Sequence, residues 1–219
     1  SGITGGHYTQ EMINAYENAT DREKFPNFDW LDYMFNPAFV QNHNLTLSGG
    51  AKGTTYNIAL GYVDQPGVLR GFKYDRLNFR TNVKSEIKPW ATVGVNLSVD
   101  RGKIEQPRQG HVDTFLSTLS QAPTYKPFTA DGKYVAKAYN FEIANKNMPA
   151  IIDSKALRNT TDYNLSGQLW DDITLFKGLN WYSKLAVTYA DSSYKDWRPV
   201  ASTYNYHTGK KMGDLDVGG

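Results

Sequence analysis

The sequence predicts an all-β protein, built from antiparallel strands of a transmembrane β-barrel with long extracellular loops. Three observations lead to this prediction: apolar and polar residues alternate, the alternating runs are long, and aromatic residues lie near the ends of the runs. Aromatic residues make up 14% of the 219 residues, yet the mean hydropathy is −0.57. A membrane barrel has such a composition because only alternate strand residues need to be apolar. A soluble β-sandwich can have it too.

The alternation covers two stretches, residues 41–104 and 161–196, which we expect to contain about six strands. Leu77, Phe79 and Val83, for example, alternate with polar residues. The runs Tyr74–Ile87 and Trp181–Asp191 both exceed the roughly 5–6 residues of soluble strands and suit the ~9–11 residues of a tilted membrane strand. Strand length therefore favours the membrane barrel.

The connections between the predicted strands alternate between tight and long. We expect tight turns at Gly49–Gly53, Lys88–Pro89 and Lys177–Gly178. Residues 105–160 are a long extracellular loop, and 1–40 and 197–219 are further loop regions. Outer-membrane barrels have short periplasmic turns and longer extracellular loops, whereas compact soluble domains seldom contain so long a loop. Short helices are predicted within the loops, at Gln10–Ala19, Leu31–Phe35 and His111–Ser120.

Two sets of residues follow from the predicted strands. Interfacial aromatic girdles are predicted from residues near strand ends, because their rings have an apolar body and a polar tip: Trp90, Trp181, Tyr62, Tyr74, Tyr163 and Tyr189. A polar lumen is predicted from residues of opposite parity: Asn78, Arg80, Asn82, Lys84, Asn96 and Lys184. Periodicity alone does not distinguish a lumen from a face in bulk water.

Asp171 is a charged residue at a position that the alternation assigns to the lipid-facing side of its strand. Either the strand has a bulge near Trp170, or this segment already lies below the membrane. The sequence leaves both explanations open.

The sequence gives no indication of an enzyme, a metal site or a cofactor. The chain has no cysteine, which excludes thiolate metal sites, and its four histidines have no ligand spacing. We find no phosphate-binding glycine loop and no nucleophile elbow. A net charge of +2 gives no reason to expect a nucleic-acid partner.

The long loop is the predicted place of substrate contact. It combines aromatic rings with amides, which suits a glycan: Tyr125, Phe128, Tyr134, Tyr139, Phe141 and Asn140. The alternative is that these aromatic residues pack the loop on itself or on a lid protein. The lumen residues Arg80, Lys84 and Lys184 can meet an anionic ligand or hydrogen-bond to a plug.

Residues 25–101 resemble the early barrel of the SusC/RagA family of TonB-dependent transporters. The resemblance rests on an ordered series of segments: Phe25–Phe35 (FPNFDWLDYMF), Gln41–Gly50 (QNHNLTLSGG), Thr55–Gly67 (TYNIALGYVDQPG), Tyr74–Val83 (YDRLNFRTNV) and Trp90–Ser98 (WATVGVNLS). Departures are small: Phe28 replaces the usual Thr, and Pro66 replaces a common Glu. The order of the segments is specific, whereas a single segment is weak evidence.

The resemblance implies an integral outer-membrane importer of glycans, oligosaccharides or peptides. Such importers have a plug inside a barrel of about 22 strands, a SusD-like surface lipoprotein as a lid, and a TonB complex that energises them. About six strands cannot close so wide a barrel. We therefore expect a partial barrel that lacks the plug, the N-terminal domains and the TonB-contacting regions. There are two alternatives. One is a passive porin-like or structural barrel, and the other is a soluble β-rich carbohydrate-binding module.

Overall fold

A computed structural model describes residues 9–124, 126–135, 147–206 and 208–214. The chain divides into two compact units. The first, the sheet unit, comprises residues 37–106 and 158–196. The second, the helical unit, comprises residues 1–36, 107–157 and 197–219.

The sheet unit is one six-stranded sheet in which every strand lies beside its neighbour in sequence. The strands are β1 (Gln41–Ala51), β2 (Thr54–Pro66), β3 (Lys73–Lys88), β4 (Ala91–Pro107), β5 (Leu157–Phe176) and β6 (Leu179–Asp196). The pairs β1–β2, β2–β3, β3–β4 and β5–β6 are antiparallel. This confirms the predicted antiparallel β-structure.

Tight turns join three of the strand pairs. Between β1 and β2, Lys52 and Gly53 both have positive φ angles of 50° and 82°, the conformation of a two-residue turn that matches the twist of its strands. Gly178, with a φ of 92°, turns the chain between β5 and β6. The β3–β4 turn contains Pro89 and Trp90.

The last four strands are longer than the alternation indicates, with 16 to 20 residues each. Strand β4 continues to Pro107, and β5 begins already at Leu157. Sequence alternation stops earlier because these extensions carry charged residues on both faces. Arg101 and Lys103, for example, have the parity of Val99 yet form ion pairs with Asp75 and Glu105.

The sheet has an apolar face that the described chain does not cover. Paired residues lie on the same face, and the register aligns Leu45 with Leu60, Leu60 with Phe79, and Phe79 with Val99. Leu45 is 66% exposed and Leu185 on β6 is 64% exposed. A soluble sheet buries such a face, so this one requires an apolar environment.

The helical unit contains four short helices and a small hairpin: α1 (Gln10–Glu17), α2 (Trp30–Met34), α3 (Gly110–Leu119), α4 (Met148–Asp153), β7 (Ser202–Tyr204) and β8 (Lys211–Asp214). Side-chain caps begin three of the helices, because Thr9, Asp29 and Asn147 each accept a hydrogen bond from a first-turn N–H. No helix in the described part of the chain is long and apolar enough to cross a membrane.

Most of the fully buried apolar residues belong to this unit, including Trp30, Met34, Met148 and Ile151. Hydrogen bonds join its distant segments. The Trp30 indole N–H donates to the Ala122 carbonyl at 3.1 Å, and Asn147 Nδ2 donates to the carbonyls of Pro127 and Val135. The described part of residues 105–160 therefore shares a packed core with the segment that carries Trp30 and Met34.

Candidate functional surfaces

Four of the six predicted girdle aromatics lie on the apolar face of the sheet: Tyr62, Trp181, Tyr163 and Tyr189, which are 41–57% exposed. Tyr62 stacks on His43, with ring centroids 6.5 Å apart. These rings are available to the surroundings of the sheet, as interfacial residues must be.

The other two girdle residues are placed differently. Tyr74 is on the polar face, because it pairs with Gln65 and Ile104 and shares its parity with Asn78. The sequence prediction counted its nearness to a strand end and not its parity. That Tyr74 belongs to an interfacial girdle stays a prediction. Trp90 lies in the turn before β4, and is 54% exposed there.

Polar rows cross the apolar face towards both of its ends. At the tight-turn end, the hydroxyls of Thr54 and Ser85 are 2.7 Å apart, and Ser183 donates to Asp171. At the other end, Lys73 pairs with Asp64 at 2.9 Å. Between these rows the exposed apolar residues form a band of limited height, and Trp181 lies beyond the row at the tight-turn end.

Its height can be estimated along β3, where Ser85 follows Asp75 by ten residue steps. A strand rises about 3.3 Å per residue, so the distance is about 33 Å along the strand and roughly 25 Å along the normal at a tilt of about 40°. Outer-membrane barrels have an apolar band of about 25 Å. The dimensions therefore fit an outer-membrane bilayer.

Asp171 stays on the apolar face with no bulge near Trp170. It pairs directly with Ser183, and the register shifts only later, between Thr174 and Phe176. The bulge explanation is therefore wrong. Its hydrogen bond from Ser183 and its place at the tight-turn end support the other explanation, that this row lies at the membrane boundary.

The opposite face of the sheet is polar and carries all six residues predicted to face a lumen. Asn78, Arg80, Asn82 and Lys84 share one face of β3, and Asn82 aligns with Asn96 on β4. Asn96 Nδ2 donates to Gln168 Oε1 at 3.5 Å, which carries the face onto β5. Lys184 pairs with Trp170 and belongs to the same face. That this face lines a lumen stays a prediction.

The polar face also carries an aromatic pair that the alternation did not single out. Trp170 lies directly over Gly94, where an added Cβ would be 2.1 Å from the indole. Trp170 also stacks with Tyr182, with centroids 6.3 Å apart and an interplanar angle of 29°. Two sequence features could have indicated this contact. Trp170 stands at a position where the alternation predicts a polar residue, and Gly94 stands within a long strand.

We expect Gly94→Ala to destabilise the protein by about 1–3 kcal/mol, because the new methyl group displaces the indole of Trp170. The same change in a Trp170→Ala background should cost much less. A double-mutant cycle on urea unfolding of the full-length protein measures this coupling. The matched control is Gly102→Ala on the same strand and face, where the nearest atom is 3.6 Å away. An equal cost in both backgrounds would contradict the contact.

In the helical unit, two of the predicted substrate contacts are described, and both make contacts inside the unit. Phe128 packs against Phe28 and Tyr33, with centroids 6.0 and 5.9 Å away. The Tyr134 hydroxyl donates to Asp153 Oδ2 at 3.2 Å. These contacts support the alternative that the aromatic residues pack the segment on itself. The other four predicted residues, Tyr125, Tyr139, Asn140 and Phe141, lie outside the described residues.

Glu23 connects two distant parts of the helical unit. Its carboxylate pairs with Lys126, and its carbonyl accepts a hydrogen bond from the Tyr206 hydroxyl at 2.5 Å. Burial, and then the nearby negative charge of Glu23, raise the pKa of Tyr206 from 10.0 to about 12. The neutral phenol is therefore the form that the folded unit favours.

This pKa predicts a loss of stability in alkali. A group whose pKa is raised on folding stabilises the fold below its unfolded pKa, and the effect is lost as pH rises through the folded pKa. We therefore expect the Tyr206 contribution to be complete below about pH 10 and lost towards pH 12. The difference in absorbance at about 295 nm between the wild type and Tyr206→Phe should titrate near pH 12, and a midpoint near pH 10 would contradict the contact.

No group of three or more His, Cys, Asp or Glu among the described residues is arranged to hold a metal ion. The ion pairs join opposite charges within each unit, as between Arg158 and Asp196 or between Lys133 and Asp131. The exposed apolar face and the polar face of the sheet are the main candidate functional surfaces.

Comparison with known proteins finds TonB-dependent receptors. The TonB-dependent receptor P3 of Formosa agariphila is 28% identical over 152 residues, which cover 63% of this chain and 15% of the receptor. The TonB-dependent receptor SusC of Bacteroides thetaiotaomicron is 31% identical over 79 residues, which cover 33% of this chain and 8% of the receptor. No family model matches the chain.

A solved structure of the RagAB peptide transporter has the same fold over 94% of this chain, with a TM-score of 0.65 and 22% identity. It overlaps 25% of that transporter chain, so this chain spans only a small part of its relatives. The predicted fold, antiparallel strands of a transmembrane β-barrel, is thus confirmed. The chain is similar in sequence and fold to part of the barrel of SusC/RagA-type TonB-dependent receptors.

Proposed function

We propose that the chain is part of an integral outer-membrane barrel, which imports nutrients actively and depends on TonB. The observation that supports this most directly is the six-stranded sheet with one exposed apolar face and one polar face. Such a sheet suits a barrel with lipid outside and an aqueous lumen inside.

The two edges of the sheet support a longer polypeptide. Strands β1 and β6 are the edge strands, with 11 and 18 residues. Long open edges promote aggregation unless they are paired or covered. Further strands of the same barrel would pair with them, and the greater length of the relatives agrees with this.

In this proposal the tight turns face the periplasm and the helical unit belongs to the extracellular loops. The domain plan has loops over 1–40, 105–160 and 197–219 and membrane strands over 41–104 and 161–196, and the ends of β4 and β5 extend beyond these bounds to Pro107 and Leu157. A SusD-like lipoprotein covers the extracellular side, and the TonB complex acts through regions outside this chain. The name of the RagAB peptide transporter supports peptides as cargo, whereas glycans and oligosaccharides follow from the resemblance to SusC.

The two alternatives, a soluble carbohydrate-binding module and a passive barrel, place the apolar face of the sheet in different environments. A soluble carbohydrate-binding module has to keep Leu45, Leu185 and Val187 in water, although each is more than half exposed on one continuous face. This observation disfavours it. A passive barrel has the same faces, and only energy dependence distinguishes it.

The test is to express the full-length gene in its native host and to extract the protein from the outer membrane. We expect a detergent-soluble protein several times heavier than 24.7 kDa, with a lipoprotein bound. Uptake of its cargo should stop when TonB is disrupted. Uptake that survives this disruption would indicate a passive barrel, and a water-soluble 24.7 kDa species would overturn the membrane assignment.

A further inference from the structure

Trp170, one ring of the stacked aromatic pair on the polar face, lies in a row with two lysines. The register aligns Lys84 with Gly94 and Trp170 with Lys184. The contact of Trp170 with Gly94 joins these two aligned pairs, because it connects β4 to β5. The row across four strands is therefore Lys84, Gly94, Trp170 and Lys184, which we call the Trp170 row.

The next rows towards the long-loop end are also hydrophilic. Asn82 aligns with Asn96, which is hydrogen-bonded to Gln168. One row further, Arg80 aligns with Ser98. The side chains of Arg80, Lys84 and Lys184 are exposed, and none of them has a carboxylate partner among the described residues. Three cations thus lie on the polar face together with neutral amides and the Trp170 indole.

Carboxylates lie on both sides of these rows. Asp172 is aligned with Tyr182, and Glu86 is aligned with Thr92, both one row closer to the tight turns. On the other side, Asp100 is aligned with Asn78, one row beyond Arg80, and forms an ion pair with Arg76. Among the described residues, the cations without a carboxylate partner thus lie between these acidic rows. An anion has its most favourable position between the Trp170 row and Arg80.

We propose that the Trp170 row binds an anionic saccharide, a sugar ring that carries carboxylate or sulfate groups. This inference rests on the proposed import function and defines its cargo more closely. The indole of Trp170 and the phenol of Tyr182 offer π-faces to the C–H groups of a pyranose ring. Lys84 and Lys184 flank them, about three strand spacings or ~14 Å apart at the backbone, and the amides hydrogen-bond to hydroxyl groups.

The packing of Trp170 makes it suitable for this role. Gly94 removes the side chain that would otherwise lift the indole off the sheet. The ring is partly exposed and Tyr182 is 60% exposed beside it. An indole held by packing loses little conformational entropy when a ligand stacks on it.

The test uses the full-length protein purified in detergent and three tetrasaccharide probes: tetragalacturonate, its fully methyl-esterified form and a sulfated galactose tetrasaccharide. Calorimetry at physiological salt measures each affinity. We expect at least tenfold tighter binding of either anionic probe than of the neutral ester. The anionic probe that binds better shows whether carboxylate or sulfate is preferred.

The variants are Trp170→Leu and the double variant Lys84→Gln with Lys184→Gln. Trp170→Leu should weaken the affinity for the anionic probes at least tenfold. The double variant should lower the affinity for the anionic probes to the affinity for the neutral ester. Trp181→Leu and Lys195→Gln are the matched controls, because both residues have the parity of the opposite face; they should leave binding unchanged.

Equal binding of the charged and neutral probes, or binding of none of them at millimolar concentration, would overturn the inference. So would variants that lower the unfolding midpoint and leave affinity unchanged, which would show that another part of the polypeptide covers the row. TonB-dependent uptake of a different cargo in any of these cases would leave the proposed function intact.

Discussion

Val187→Arg should destabilise the membrane-inserted protein by about 2–4 kcal/mol, the usual cost of an arginine on the lipid face near the middle of the bilayer. Val187 is 59% exposed and lies between Leu185 and Tyr189 on the apolar face of β6. A charged group there has no polar partner and must leave the hydrocarbon or distort it. Equilibrium unfolding of the full-length protein from phospholipid vesicles measures the effect.

Ala186→Arg is the control, since this neighbouring residue lies on the polar face. We expect its cost to be near zero, because an arginine in an aqueous lumen keeps its hydration. The comparison also tests the soluble alternative: exposed substitutions on a soluble sheet usually change stability by less than about 0.5 kcal/mol. Equal, small effects of the two variants would show that neither face contacts lipid.

The faces of the sheet were predictable because the side-chain period of a strand is two. Once Leu77 and Phe79 are assigned to one face, the parity of every residue from Tyr74 to Lys84 follows, and the register agrees. Tyr74 was assigned by its nearness to a strand end, and the same parity places it on the polar face. The six lumen residues were assigned by parity alone, and the structure places them together on one face.

The strand ends were less predictable, because outside the apolar band both faces can be polar. Arg101, Lys103 and Glu105 continue β4 without alternation, and their ion pairs replace apolar contacts. The loss of alternation in the sequence therefore predicts a loop where the strand continues. The backbone ladder persists because its hydrogen bonds do not depend on side-chain polarity.

Contacts between residues far apart in sequence were not predictable at all. Trp170 over Gly94 joins two strands that a long segment separates, and no local pattern encodes that contact. The same holds for the core of the helical unit, where Phe28, Tyr33 and Phe128 meet. The sequence indicated aromatic residues in the long loop, but not whether they face a ligand or one another.

Trp30→Ala should have the largest effect in the helical unit, about 3–5 kcal/mol on the stability of that unit. Trp30 is 5% exposed, packs edge-on against Phe28 at 5.2 Å, and donates its indole N–H to the Ala122 carbonyl. Removing the ring leaves a cavity and an unpaired carbonyl between two segments that are distant in sequence.

Hydrogen exchange in the full-length protein gives the local readout. The Phe28 amide donates to the Pro123 carbonyl at 2.8 Å, so its protection reports the contact that Trp30 supports. Because each 1.4 kcal/mol is a factor of ten, we expect its protection to fall by about a hundredfold or more. Leu31→Ala is the control, since that neighbour is 46% exposed and should change protection little. Unchanged protection in Trp30→Ala would mean that the caps and α4 hold the helical unit together without this ring.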